Sequence, residues 1–150
     1  MNSDFRELLV VLNAHNVRFL VVGGYAVIHY AEPRYTKELD LWIEPNPANA
    51  LRFRAAMIEF GAWLKEMSVE DFSTPQVMFQ IGMPPSRIDF LTSVPGVAFP
   101  ACWNNREQVS LGDISIPFIS KSDLIQAKLH ANRPQDQLDV QALRDTEYPS

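Results

Sequence analysis

Two carboxylates, two residues apart on a stretch that alternates like a strand, give the first chemical lead in this chain. In Glu38-Leu39-Asp40-Leu41-Trp42-Ile43, successive side chains of an extended segment point to opposite faces. Leu39, Leu41 and Ile43 therefore share one face, while Glu38 and Asp40 share the other. Like charges side by side repel each other, so the pair needs a partner, most commonly a divalent cation. A third acid, Asp89, sits mid-strand in Ser86-Arg87-Ile88-Asp89-Phe90-Leu91, where a charge is costly unless paired or metal-bound. Upstream, Gly23-Gly24 closes the apolar run Phe19-Leu20-Val21-Val22. Each feature alone also has a plainer reading: an exposed strand face for Glu38 and Asp40, a tight turn for the glycines, an ion pair with Arg87 for Asp89.

Taken together, these pieces resemble the signature of the DNA polymerase β-type nucleotidyltransferase superfamily. Val22-Gly23-Gly24-Tyr25-Ala26-Val27 and Thr36-Lys37-Glu38-Leu39-Asp40-Leu41-Trp42 are especially similar to small bacterial nucleotidyltransferase-like proteins, among them relatives of abortive-infection toxins. The likeness covers most of the chain. Asp89 falls where that pattern has its third carboxylate, and Lys128 followed by Arg133, Asp136 and Asp139 resembles the family's C-terminal helical motif.

The resemblance implies an α/β (α+β) nucleotidyltransferase fold, with a mixed central sheet flanked by helices and with C-terminal helices. It implies Mg²⁺-dependent transfer of a nucleotide from a nucleoside triphosphate such as ATP, with metals about 3.5–4 Å apart. Glu38, Asp40 and Asp89 would hold them, and oxygen-only ligands suit magnesium. If the three acids meet, each pair at about 4 Å repels by roughly 4 kcal/mol at an effective dielectric near 20, on the order of 12 kcal/mol in all. Only cations or protons offset that. Gly23 and Gly24 would let backbone amides approach phosphate oxygens. Lys128 would neutralise the triphosphate, and Asp136 or Asp139 would position Lys128 or the acceptor. Lys37, with Arg34 and Lys121, is a further candidate for phosphate contact. The first acidic position of the family is more often Asp; here Glu38 is one methylene longer.

The acceptor stays open among a tRNA end, a protein side chain and a small molecule. A second reading is a catalytically silent relative that keeps the fold and acts as a binding or regulatory partner, as in a toxin–antitoxin pair, or as a homo-oligomer. A third, a plain structural module, would leave Glu38, Asp40 and Asp89 far apart.

Around these residues, Phe5, Leu8, Leu9 and Leu12 define one face of a helix, with Ser3 as N-cap and Asn16 as stop. Strands are expected at 18–22, 38–43, 76–81, 87–92 and 114–118, and helices at 25–31, 48–60, 120–131 and 134–144. Asn46 and Pro47 should start the third helix and Gly61 end it, with Leu51, Ala55, Ile58, Phe53 and Met57 as its apolar residues. Residues 63–74 are unassigned, and 95–112 read as loop-rich with an amphipathic piece near Trp103. The 150 residues fit one domain spanning 1–150. With 47% hydrophobic and 21% charged residues and a formal charge of −5, the composition is that of a soluble globular protein without a broadly basic nucleic-acid surface. The single cysteine, Cys102, and the absence of a signal-like N-terminus or an apolar run of ~20 residues point to a cytoplasmic protein off the membrane. His15, His29, His130 and Cys102 lack zinc-ligand spacing, and no Walker-type phosphate loop or nucleophile elbow is present.

Overall fold

The computed structural model describes residues 1–31, 33, 36 and 38–146. In chain order its elements are α1 (Ser3–Ala14), β1 (Phe19–Val22), α2 (Gly23–Tyr30), β2 (Glu38–Ile43), α3 (Pro47–Phe60), α4 (Val69–Phe72), β3 (Met78–Ile81), β4 (Arg87–Leu91), α5 (Phe99–Asn104), β5 (Glu107–Leu111), β6 (Ile114–Phe118), α6 (Lys121–Ala131) and α7 (Pro134–Asp145). The strands form one mixed sheet in the order β3-β4-β2-β1-β6-β5. β1 runs antiparallel to β2 and parallel to β6, and β2 runs parallel to β4. The expected α/β (α+β) arrangement, a mixed sheet with C-terminal helices, is the one observed.

β1 reads Phe-Leu-Val-Val and is buried along its whole length, as a central strand covered on both faces should be. On β2 and β4 the two faces differ. Phe90 packs its ring against Phe53 of α3, with centroids 5.2 Å apart, so α3 covers the face opposite Asp89. Trp42, on the same side of β2 as Glu38 and Asp40, meets Phe99 of α5 edge-on at 5.2 Å. The acidic face is thus roofed at one end by α5 and left open at the other.

Several local signals work as chemistry requires. Asn46 accepts from the Asn49 amide with Pro47 in the first turn, and Gly61 ends α3 at a φ of 88°. Ser120 caps α6. Buried Asn49 ties the start of β1 to the end of β2. Its side chain accepts from the Arg18 amide and donates to the carbonyls of Arg18 and Glu44.

Other expectations need correction. Asn2, not Ser3, caps α1. α2 begins at Gly23 rather than Tyr25, so the glycines form its first turn. On α3 the expected apolar residues Leu51, Ala55 and Ile58 are exposed, while Phe53 and Met57, also expected there, are buried together with Ala50 and Ala56. Phe53 decides this, because it joins Phe72, Phe90 and Trp63 in an aromatic cluster. The unassigned stretch 63–74 contains α4, and 95–112 holds α5 and β5. β5 escaped notice because an edge strand with one buried side chain, Val109, carries almost no hydrophobic pattern. It pairs with β6 across a turn at Gly112, whose φ is 67°.

Candidate active site

Parallel pairing of β2 with β4 sets Asp40 opposite Asp89 and Glu38 opposite Arg87. One carboxylate oxygen from each of Glu38, Asp40 and Asp89 lies within 4.8 Å of the other two. Asp89 is buried, and Glu38 and Asp40 are half-buried. Arg87 reaches into the cluster: its Nη2 stands 3.2 Å from Glu38 Oε2, and its Nε donates to Asp89 Oδ1 at 3.3 Å. The ion pair envisaged for Asp89 therefore exists, but one guanidinium cannot balance three carboxylates. With all three ionised, two negative charges would remain. Burial pushes the Asp40 carboxyl up to about 7, helped by repulsion from Glu38 and Asp89 and a hydrogen bond with Asp89; Arg87 opposes the shift.

The glycine pair fits against these acids. Gly23 has a φ of 68°, and a Cβ there would lie 2.0 Å from Asp40 Oδ2. No larger residue leaves that carboxylate where it is. A Cβ on Gly24 would stand 2.7 Å from Thr36 Oγ1. Val22, the N-cap of α2, offers no side-chain cap, so the amides of the first turn are without one at the edge of the acidic site.

A cleft of about 310 Å³ opens here, lined by Gly23, Glu38 and Asp40 together with Lys128, Arg133 and Asp136. Lys128 Nζ lies 2.8 Å from Asp139 Oδ2 and 3.4 Å from Asp136 Oδ1. Both acids are only 2% exposed, so they are not surface helix charges. The Arg133 side chain and amide both donate to Asp136, and these bonds, with Lys128 nearby, hold its carboxyl below the usual carboxylate range. Gln135 donates to Asp139 at 2.9 Å. Lys128 is thereby fixed at the cleft by two acids from the next helix.

The fold thus brings together Gly23, Gly24, Glu38, Asp40, Asp89, Lys128, Asp136 and Asp139. Lys121 is turned elsewhere and donates to Thr146 Oγ1. Arg34 and Lys37 lie outside the described residues. From the sequence, Arg87 has only the reading of an ion-pair partner of Asp89 and Arg133 only a place in the helical motif, whereas the structure brings both to the site. Arg87 had a signal in its position two residues before Asp89, on the same strand face; Arg133 had one in its i,i+3 spacing to Asp136.

Three carboxylates around a single guanidinium fit a divalent cation of the magnesium kind, and the glycine cradle leaves Asp40 free to serve as one ligand. No helix among the described residues is long and apolar enough to cross a membrane.

Residues 1–147 match the family model described as "Nucleotidyl transferase of unknown function (DUF2204)". Among solved structures, the chain is similar to the crystal structure of the lincosamide antibiotic adenylyltransferase LnuA in its lincomycin-bound form. The TM-score is 0.58 at 14% sequence identity, over 97% of this chain and 98% of that one. That likeness is one of fold. No curated protein matches the chain in sequence.

Proposed function

The chain belongs to the nucleotidyl transferase family DUF2204, and from that premise we propose that it is an active, Mg²⁺-dependent enzyme. It would move a nucleoside monophosphate from a nucleoside triphosphate to a hydroxyl or phosphate acceptor. The observation that carries this reading is the meeting of Glu38, Asp40 and Asp89, the first two of which line one cleft with Lys128. In this reading Glu38, Asp40 and Asp89 hold the metal. A bound divalent cation would lower the pKa of the attacking hydroxyl and offset charge on the leaving pyrophosphate. Lys128 supplies a fixed positive charge toward the triphosphate, pinned by Asp136 and Asp139 so that little side-chain entropy is lost on binding. Gly23 and Gly24 bring the amides of the first turn of α2 to phosphate oxygens, where the helix dipole favours an anion. Asp89, the most buried of the three acids, is suited to accept the proton of the attacking hydroxyl.

Acceptor size bears on the choice among RNA, protein and small molecule. LnuA, whose chain this one spans to 98%, is described with lincomycin bound. A chain of this length therefore suffices to hold a small-molecule acceptor, and we favour that class. Isothermal titration with ATP, CTP, GTP and UTP in Mg²⁺ tests the proposal. Binding of at least one, lost in Asp40→Ala, is expected; no binding of any would count against catalysis.

The silent-relative reading draws on one observation: Arg87 already pairs with two of the three acids. It predicts a protein that co-purifies with a partner, as an antitoxin-bound toxin would, and turns over no nucleotide.

A further inference from the structure

Arg87 is the one cation in direct contact with the acidic cluster among the described residues, and its geometry is that of a bridge. From the start of β4 the guanidinium spans 3.2 Å to Glu38 Oε2 and 3.3 Å to Asp89 Oδ1. Glu38 is its directly facing partner on β2, and Asp89 is two residues along on the same face of β4. Those carboxylates are also two of the three that would ligate a cation. The Arg87 side chain is 34% exposed, so it has solvent to swing into. Lys128 and Arg133, the cations that line the cleft, are paired with Asp136 and Asp139 on α7 and have no share in this bridge.

We propose that Arg87 is a resident counter-cation: it holds Glu38 and Asp89 together while no metal is bound, and it must let go of them when a divalent cation enters. Occupancy by metal and closure by Arg87 are then mutually exclusive at the shared carboxylate oxygens. The residue sets a threshold for metal loading and keeps the metal-free site folded despite its charge. This rests on the metal-dependent reading given above and adds to it a competitor within the chain. It also resolves the tension between that reading and an acid cluster that already carries an arginine.

The test uses the full chain and Mn²⁺ alone, with free Mn²⁺ read by electron paramagnetic resonance, and melting temperature followed in chelator and in Mg²⁺. Removing a positive charge in contact with the ligands should tighten Mn²⁺ binding in Arg87→Ala on the order of tenfold or more. The same variant should melt lower than wild type in chelator and gain more on adding Mg²⁺. Arg87→Lys keeps the charge but cannot fork across two carboxylates, so its affinity should fall between the two; it also serves should Arg87→Ala not fold. Equal or weaker Mn²⁺ binding by both variants, against measurable binding by wild type, overturns the counter-cation role and leaves the metal site standing. No Mn²⁺ binding by wild type or either variant overturns the metal-dependent reading itself.

Discussion

Asp40 offers the sharpest quantitative test, because its carboxyl is pushed from an ordinary value of 3.8 up to about 7 while Glu38, Asp89 and Arg87 all face it. The folded state holds that proton more tightly than the unfolded chain does. Its stabilising contribution is therefore full below about pH 4 and lost as pH rises through 7. Linkage integrates to about 2–3 kcal/mol lost between pH 5 and pH 8, which solvent screening at this half-buried group reduces to roughly 1–2 kcal/mol. Asp40→Asn keeps the shape, cannot ionise, and retains a donor toward Asp89. Urea unfolding in chelator at half-unit pH steps should show wild type losing that increment relative to Asp40→Asn as pH rises. Above pH 7 the variant should be the more stable protein. The shift of Asp136 lies on the opposite side, below its ordinary value, so its own pH effect falls in more acid solution and does not overlap this window. Unfolding curves of the two proteins that stay parallel from pH 5 to pH 8 would refute the account of a crowded, metal-free acid cluster.

Further substitutions probe the supports of the site. Gly23→Ala combines a left-handed backbone with a Cβ 2.0 Å from Asp40 Oδ2 and should cost roughly 2–4 kcal/mol in urea unfolding. Gly61→Ala, with positive φ but nothing within 4 Å, should cost only the backbone part, about 1–2 kcal/mol, so equal losses would show that contact with Asp40 contributes nothing. Lys128→Met leaves Asp136 and Asp139 without one cation in a buried setting and should destabilise by roughly 2–4 kcal/mol, with Arg133 limiting the damage. Adding Asp139→Asn should restore part of that loss. A double variant no more stable than Lys128→Met alone would sink the ion-pair account.

What the sequence determined alone was local or periodic. Alternation put Glu38 and Asp40 on one strand face, the caps at Asn46, Gly61 and Ser120 bounded their helices, and the order of motifs indicated the family. Tertiary structure decided the rest. Which acid faces which depends on the β2–β4 register, and that is set by how two strands separated in the chain by α3, α4 and β3 dock. Phe53 chose the buried side of α3 through partners far along the chain. The motif resemblance assigns Asp136 or Asp139 to Lys128 or the acceptor, but only the packing of α7 on α6 buries both acids around Lys128. The bridge made by Arg87 follows the same logic: a charge beside Asp89 is visible in the sequence, but its second carboxylate arrives from another strand. Local propensities act within a few residues, whereas a charge buried next to another gains or loses its energy through whatever the fold sets against it.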